Sequence, residues 1–441
     1  MAFSFVLGGQ RNPPPCIILI RCTLECIYKS LRVYMQRFQH LDMFSGLGGF
    51  SLAAKQSGYI DTLLCSETDS YNNRLLDEKF NMENAGDICD LGVPSTYHSA
   101  MTDKDIVPCE ETGFSTVTYE DFFEGVVPFP DIATGGFPCQ NVSSANVTDK
   151  SGIDGTQSSL VHEQLRIIED LEIPYCVFEN AERLNRKGLD YIVARLCKLG
   201  YTVEWETIGA TAFNYPHYRH RVYIVAYLPS TGAGKSKRNV FDHVRQVALA
   251  NLDKPFKMPL LEEAPQWVLN NAVCENPKSI KLRTKRINSL GNAIIPDIAK
   301  SIFDSIRMLE ESDDEKGNTH ITDEQIAGKR EDAGWVFNGK QVTCMPTRGV
   351  AHSDTIFSNG KCQLLNVPKQ RYEGLYSTLL RKDGNNNFSC KSRLTRPGKL
   401  GGLVGEIMAI GANAGGLHPH FCEQFMGYPE GYTELPVSNS A

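Results

Sequence analysis

Cys139 stands in a setting suited to nucleophilic chemistry. It follows Gly135, Gly136 and Pro138 at the predicted end of a strand, so a rigid turn presents its sulfur instead of packing it in the core. A lone cysteine is more often a small buried hydrophobe. A thiolate becomes a nucleophile where a positive group or an acid–base partner lies nearby.

Glu179, Arg219 and Arg221 supply such partners. Glu179 ends a later predicted strand, and the two arginines open the strand after it. We expect these strand ends to converge, as they would in a parallel sheet. A carboxyl group flanked by arginines is by itself more often a structural ion pair, but beside a presented cysteine it favours acid–base catalysis.

A glycine-rich turn predicts a cofactor site. The residues from Asp42 to Phe50 read DMFSGLGGF and join a strand to a helix. Glycines let the backbone approach a ligand closely, and a helix N-terminus favours negative charge. Glu67 ends the next strand, at about the 20-residue distance that suits an acid holding ribose hydroxyls. The pattern indicates an adenosine-containing cofactor and leaves NAD and S-adenosylmethionine open.

Alternating strands and helices between about residues 38 and 228 would position these groups. Strand-like runs end at Phe44, Glu67, Thr134, Glu179 and Tyr227. Helical patterns cover residues 158–171 and 181–199. This alternation predicts an α/β fold with a doubly wound, mostly parallel sheet, in which ligands bind at the carboxyl ends of the strands.

Five motifs, in order over about residues 42–296, resemble those of the C5-cytosine-specific DNA methyltransferases. They read DMFSGLGGF, GGFPCQNVS, EN, HYRHR and GNAIIP. The HYRHR region resembles most a subgroup common in bacteria and their phages. The resemblance implies a Rossmann-like fold that binds S-adenosylmethionine and acts on double-stranded DNA.

The resemblance also implies a covalent mechanism. Cys139 would add to C6 of a flipped-out cytosine while Glu179 hydrogen-bonds and protonates N3. Arg221 would bind the O2 of the base, and Arg219 would support the charge balance of the pocket. Covalent catalysis is needed because C5 is not nucleophilic enough until C6 is attacked. Loss of the C5 proton and elimination of Cys139 would release 5-methylcytosine.

The same family pattern assigns the cofactor contacts. Phe44 would stack on adenine, Glu67 would hold the ribose, Asp87 would meet the adenine amine, and Asn292 would contact the amino-acid end. The other expected cofactor-binding residues are Asp42, Ser45, Gly46, Gly48, Gly49 and Pro138. No metal site is expected, because the 14 cysteines are scattered and contain no C-x-x-C pair.

Some features depart from the family pattern. His217 replaces the glutamine of Q-x-R-x-R, Ala181 replaces the valine of E-N-V, and Thr156-Gln157 stands where a basic residue is frequent. HPHFCEQFMGYPEGY, at residues 418–432, resembles a segment that normally precedes the GNAIIP-type closing motif. Here it follows that motif, so the order is permuted.

We divide the chain into four parts. Residues 1–37 form an N-terminal extension or an over-called start, 38–309 the catalytic domain, 310–334 an acidic linker, and 335–435 a target-recognition module. The net charge of −7 argues mildly against nucleic-acid binding. Its distribution does not, because residues 361–400 contain nine basic and two acidic side chains. We expect this basic stretch to contact DNA phosphates.

The sequence leaves other functions to be weighed. An inactive DNA- or cofactor-binding relative, an NAD oxidoreductase and an RNA cytosine methyltransferase are the alternatives. The first conflicts with the intact Cys139, Glu179, Arg219 and Arg221, and the second explains none of these residues. An RNA enzyme of the tRNA type would follow Pro-Cys with Phe-Thr, whereas Gln140 follows here. We expect a cytoplasmic monomer with no membrane contact and a cognate restriction enzyme as a candidate partner.

Overall fold

The computed structural model describes residues 37–92, 117–138, 160–312, 326–331, 334–337, 340–341, 345–353, 355–358, 374–389 and 401–436. The chain divides into two compact units, Met1–Phe38 and Gln39–Ala441. Almost all of the first unit, and with it the predicted extension 1–37, lies outside the described residues. The division into four parts therefore stays a prediction.

The strands and helices follow the chain in alternation through its first half. The described strands are β1 (Phe38–Met43), β2 (Ile60–Ser66), β3 (Glu83–Asn84), β4 (Ile132–Gly135), β5 (Tyr175–Ala181), β6 (Thr202–Gly209), β7 (His217–Tyr218), β8 (His220–Tyr227), β9 (Val273–Cys274), β10 (Ile326–Glu331), β11 (Gly334–Phe337), β12 (Lys340–Gln341), β13 (Arg348–His352), β14 (Thr355–Ser358), β15 (Tyr376–Ser377) and β16 (Gly416–Leu417). The described α-helices are α1 (Gly49–Ser57), α2 (Ser70–Phe80), α3 (Tyr119–Phe123), α4 (Leu160–Asp170), α5 (Leu189–Lys198), α6 (Gly232–Lys235), α7 (Val240–Ala250), α8 (Pro265–Ala272), α9 (Arg283–Asn292), α10 (Pro296–Glu310), α11 (Gly402–Ala409) and α12 (Pro419–Met426).

The main sheet has the strand order β12-β11-β10-β14-β13-β6-β8-β5-β4-β1-β2-β3. β1 pairs in parallel with β4, and β4 with β5, which confirms the predicted doubly wound α/β fold. β5 is almost wholly buried, as expected for a central strand covered on both faces. Helix α4 confirms the first predicted helical region, 158–171, and α5 confirms only the later part of the second, 181–199. Gly188, with φ +123°, separates α5 from a short 3₁₀ helix over Glu182–Arg186.

The start of β8 lies beside the end of β5, as expected, but the two strands are antiparallel and not parallel. β8 runs antiparallel to β5, and Ala181 pairs with Arg221. The assumption of parallel strands at this point was wrong, because a parallel β8 would place its first residues at the opposite edge of the sheet. The antiparallel direction brings the arginines to the edge where Glu179 lies.

Strand β6 was not identified from the sequence, because Glu204 and Glu206 interrupt its apolar pattern. Both carboxylates are buried, and each has a partner on another element. The Tyr227 hydroxyl donates to Glu204 at 2.7 Å, and Arg245 forms an ion pair with Glu206 at 2.7 Å. β6 then accepts β13 as an antiparallel neighbour, so residues from the predicted target-recognition module continue the main sheet.

Another part of that module packs on α9. The 3₁₀ helix over Arg381–Asn385 crosses α9 so closely that a Cβ on Gly291 would lie 2.3 Å from the Arg381 backbone nitrogen. Arg286 of α9 pairs with Glu423 of α12 at 3.1 Å, and both side chains are almost fully buried. The segment that follows the closing motif in sequence thus lies beside it in space.

Replacing Glu423 by glutamine tests this buried pair. We expect the free energy of unfolding to fall by about 3 kcal/mol, because Arg286 loses its buried counter-charge. Urea denaturation measures the change. Glu430→Gln is the control, since Glu430 is 62% exposed and should change stability by less than about 1 kcal/mol. Equal midpoints for Glu423→Gln and the wild type would contradict the interpretation.

Candidate active site

The predicted acid, Glu179, is a buried carboxylate at the end of β5. It is 7% exposed, and its Oε1 lies 3.0 Å from Nε of Arg221 on β8. Burial raises the pKa of Glu179, and the charges of Arg221 and Arg219 oppose this effect. The site therefore combines a proton-holding group with an adjacent fixed cation.

Arg219 makes different contacts from Arg221. Its guanidinium is 2% exposed and donates to the backbone oxygens of Ala293 and, at 3.4 Å, Gly291. Burial lowers its pKa to about 9. Arg219 therefore ties the closing motif GNAIIP to the start of β8, while its charge acts on Glu179 without a direct ion pair.

The chain that leads to Cys139 packs against the Glu179 side chain. A Cβ added to Gly136 would lie 3.3 Å from Glu179 Oε2, so glycine permits the close approach. Asn180 Nδ2 donates to the Phe137 backbone oxygen at 3.2 Å. Pro138 is half-buried and is the last described residue before Cys139, which lies outside the described residues with Thr156 and Gln157. The role of Asn180 in holding this loop was not assigned from the sequence.

The glycine turn has the geometry of a ligand cradle. Gly46 and Gly48 have φ values of +55° and +74°, a region that favours glycine. The Gly46 N–H donates to Glu67 Oε2 at 2.7 Å, and Glu67 Oε1 accepts from the backbone of Thr68 and Asp69. A carboxylate has about four acceptor positions, so Glu67 keeps roughly one for a ligand hydroxyl.

Asn84, which belongs to none of the predicted motifs, links Glu67 to the loop that carries Asp87. Its Oδ1 accepts from the N–H of Glu67 at 3.1 Å and from that of Gly86 at 3.0 Å. Asp87 itself is exposed and accepts from the Cys89 N–H. Asn84 thereby sets the spacing between the two acidic residues predicted to bind the cofactor.

Asp42 is turned into the protein. Its carboxylate is fully buried and accepts from the Ser51 hydroxyl at 2.5 Å and the Thr134 hydroxyl at 3.0 Å. His40 Nε2 contacts Thr134 Oγ1 at 2.8 Å, and burial lowers the His40 pKa to about 3, so the imidazole is neutral. Burial also raises the pKa of Asp42 to about 7. This residue supports the turn from behind.

The other predicted cofactor residues surround the turn. Phe44 is half-buried with φ +54°, and the Ser45 hydroxyl donates to the Asp42 backbone oxygen at 2.5 Å. A Cβ on Gly49 would lie 2.6 Å from Ile294, so the closing motif packs directly on α1. Asn292 is exposed at the end of α9, next to that contact.

His217, which replaces a glutamine of the family pattern, is a packing residue. Its ring stacks on Phe425 with centroids 4.2 Å apart, and Nε2 contacts the Phe425 backbone oxygen at 2.9 Å. Burial lowers its pKa to about 3. The substitution therefore joins the arginine motif to α12 of the C-terminal segment.

The described residues contain no group of three or more His, Cys, Asp or Glu placed to hold a metal ion. Across the same ranges, no helix is long and apolar enough to cross a membrane. None of the described cysteines forms a disulfide, and Cys89 is exposed.

Residues 38–286 match the family model described as C-5 cytosine-specific DNA methylase. The Type II methyltransferase M2.BsuMI of Bacillus subtilis (strain 168) is 31% identical over 196 residues, which cover 43% of this chain and 41% of that protein. The Type II methyltransferase M.DsaV of Dactylococcopsis salina is 26% identical over 218 residues, covering 48% and 51%. The matched region thus spans about half the length of these relatives, or less.

Solved structures of similar proteins include the Schizosaccharomyces pombe Dnmt2 methyltransferase, with 18% identity and a TM-score of 0.31. That comparison covers 44% of this chain and 51% of the other. A putative DNA modification methyltransferase encoded within an Escherichia coli prophage has 19% identity and a TM-score of 0.32, covering 44% and 47%.

The buried carboxyl of Asp42 predicts a pH-dependent stability. Its pKa is raised from 3.8 to about 7 in the fold, so the folded state keeps a proton that the unfolded chain releases. Stability therefore falls as pH rises from about 4 to 7. Asp42→Asn removes this contribution. Relative to the wild type, it should gain about 2–3 kcal/mol between pH 5 and 7.5, measured by urea denaturation.

Asp77→Asn is the control for this measurement, because Asp77 is exposed on α2. Its difference from the wild type should be the same at both pH values. A pH-independent difference for Asp42→Asn as well would refute the interpretation of the buried carboxyl.

Proposed function

Because the chain belongs to the C-5 cytosine-specific DNA methylases, we propose that it is a DNA (cytosine-5-)-methyltransferase that uses S-adenosylmethionine. The observation that carries this proposal is the buried Glu179–Arg221 pair, against which the chain entering Cys139 packs. The acid and the cation share one edge of the sheet, and the described chain that leads to the candidate nucleophile ends beside them at Pro138. These are the groups that covalent activation of cytosine requires.

Glu179 suits the protonation of the base. Burial favours its neutral form, so the carboxyl group can hold a proton and transfer it to N3 as negative charge develops there. Arg221 lies at 3.0 Å and stabilises the carboxylate that remains. Its partly exposed guanidinium can then turn toward the O2 of the base, the role proposed for it.

Cys139 carries the covalent step of the proposed mechanism. Its sulfur forms a bond to C6 while N3 takes the proton from Glu179, and the electron pair of the C5–C6 double bond becomes available at C5. S-adenosylmethionine supplies the methyl group when bound. The C5 proton is then lost to a base, the bond between Cys139 and C6 breaks as the sulfur leaves as a thiolate, N3 returns its proton to Glu179, and the C5–C6 double bond forms again.

The turn of residues 45–49 fits an adenosine-containing cofactor. Positive φ values at Gly46 and Gly48 open the backbone beside the N-terminus of α1, and Glu67 retains an acceptor position next to it. We propose that Glu67 accepts from one ribose hydroxyl and that Asp87 contacts the adenine amine. Phe44, Ser45, Gly49, Pro138 and Asn292 complete this site, and the buried Asp42 supports the turn from behind.

A basic surface supports DNA as the substrate. It consists of Lys281 and Lys285 around the start of α9, and of Arg381 and Lys382 on the adjacent 3₁₀ helix. All four are exposed, and none forms an ion pair within the described part of the chain. The Gly384 backbone oxygen accepts from Thr284 at 3.3 Å and joins the two elements.

This surface borders the proposed active site. Thr378 Oγ1 lies 3.4 Å from Arg219 Nη1, three residues before Arg381 in the chain. DNA phosphates bound to the basic surface would therefore run past the sheet edge that carries Glu179, where a flipped base must enter. The other basic residues of the 361–400 stretch lie outside the described residues, namely Lys361, Lys369, Arg371, Lys391, Arg393, Arg396 and Lys399.

We further propose that residues 335–435 contribute to DNA recognition. Since the cofactor turn and the Glu179 pocket are built by one chain, we propose a monomer acting on cytoplasmic DNA. The relatives are named Type II methyltransferases, and on that basis we propose a restriction–modification role with a cognate restriction enzyme.

Transfer of labelled methyl from S-adenosylmethionine to DNA tests the enzyme activity. We expect Cys139→Ser to abolish transfer and Glu179→Gln to lower it by about 10²–10⁴-fold. Cys274→Ser is the matched control, since this half-buried thiol lies on β9 and has no part in the proposed site. Full activity of Cys139→Ser would exclude the covalent mechanism, and failure of the wild type to form an adduct with 5-fluorocytosine DNA would indicate a non-catalytic relative.

The salt dependence of DNA binding tests the basic surface. In a Lys285→Gln, Arg381→Gln, Lys382→Gln variant, the slope of log K against log salt concentration should become shallower by about 2–3. The control variant carries Lys198→Gln, Lys235→Gln and Lys237→Gln. These exposed lysines lie near the end of α5 and after the end of β8, away from the Glu179 edge. Equal slopes for the two variants would show that the basic surface does not contact DNA phosphates.

A further inference from the structure

A residue from the far end of the chain holds the glycine turn. The Tyr432 hydroxyl donates to the Leu47 backbone oxygen at 2.8 Å, across 385 positions of sequence. Tyr432 is 6% exposed. Leu47 lies between Gly46 and Gly48, in the middle of the proposed cofactor turn. The contact therefore reaches the turn directly.

The hydrogen bond fixes one specific peptide unit. The Leu47 carbonyl and the Gly48 N–H belong to the same peptide plane. The Gly48 N–H donates to the Ser45 backbone oxygen at 2.8 Å, and Tyr432 binds the carbonyl on the opposite side. Without the tyrosine hydroxyl, the bond from the Gly48 N–H to Ser45 would remain to resist rotation of this Leu47–Gly48 peptide.

The orientation of this peptide decides the shape of the cradle. Gly48 precedes α1 with φ +74°, and a Cβ there would lie 2.8 Å from Leu76 and Phe80. The neighbouring Gly46 N–H is already committed to Glu67. Rotation of the Leu47–Gly48 peptide would therefore change both the entry into α1 and the backbone that faces a ligand.

Tyr432 is itself held rigidly. Its neighbour Thr433 accepts a hydrogen bond from Tyr71 at 2.6 Å through its backbone oxygen and one from Arg286 at 2.8 Å through its hydroxyl. Tyr428 donates to the Ile294 backbone oxygen at 3.2 Å, beside Gly49. These bonds connect residues 428–433 to α2, α9 and the closing motif, so the Tyr432 hydroxyl has a fixed position.

We propose that Tyr432 is a positioning residue for the methyl-donor cofactor, and that residues 428–433 form a supporting wall behind the glycine turn. This inference rests on the proposed function, because it assigns the ligand of the turn. The C-terminal segment then has a role in cofactor binding besides any role in DNA recognition. Tyr432 acts through the Leu47 peptide and touches no reacting atom.

Calorimetric binding of S-adenosylmethionine to the full chain tests the proposal. Tyr432→Phe removes only the hydroxyl, and the dissociation constant should rise about three- to tenfold, as expected for one hydrogen bond. In methyl-transfer kinetics the loss should fall mainly on KM for S-adenosylmethionine. The pattern differs from that of an unfolded or partly folded variant, in which the number of binding sites falls.

Tyr201→Phe is the matched control. Tyr201 is 2% exposed and also donates to a backbone oxygen at 2.8 Å, that of Ile173, away from the glycine turn. It should lose comparable stability in urea denaturation but bind the cofactor as the wild type does.

The outcomes distinguish the proposed function from the positioning role of Tyr432. If the wild type binds no S-adenosylmethionine, the proposed function fails. If the wild type binds it and Tyr432→Phe binds equally well, the positioning role fails alone. Equal weakening in Tyr432→Phe and Tyr201→Phe would also overturn that role, because the effect would then be one of general stability.

Discussion

A buried carboxylate at the end of β5 is the constraint on which the site depends. Removing the charge of Glu179 from water is costly unless a cation compensates it. The antiparallel direction of β8 provides that compensation, because it places Arg221 opposite Ala181 at the same edge. The same strand start carries Arg219, which binds the closing motif. One reversal of strand direction thus organises the acid, its cation and the motif that packs on the cofactor turn.

The C-terminal segment satisfies a second constraint. A glycine-rich turn lets a ligand approach the backbone closely, but glycines also leave the backbone conformationally free. Its peptides therefore need hydrogen-bond partners from outside the turn. Glu67 provides one from β2, and Tyr432 provides another from the C-terminal segment. The buried Arg286–Glu423 pair anchors that segment to α9. The permuted motif order therefore changes the order along the chain, but the closing motif and the C-terminal segment still lie side by side in space.

The sequence predicted the elements of the α/β core well, because strands such as β5 and helices such as α4 have clear apolar patterns. It missed β6, whose two buried glutamates find their partners in Tyr227 and Arg245, residues on other elements. It grouped Glu179 with Arg219 and Arg221 but could not distinguish their contacts. Asn84 carried no signal, and Asn180 was part of the EN motif but its hydrogen bond to the Phe137 backbone could not be predicted. The Cys139 assignment stays a prediction.

The motifs by themselves determined the family and the candidate chemistry, because nucleophile, acid and glycine turn are each encoded within a few adjacent residues. Only the tertiary structure decided which arginine pairs with Glu179. It also decided which peptide of the glycine turn is fixed by a hydrogen bond, and which residue donates that bond. Asp42 reads as a ligand-facing acid but is buried against Ser51 and Thr134. Tyr432 reads as a distant aromatic residue but contacts Leu47. Both outcomes depend on long-range packing and desolvation, which local sequence patterns do not encode.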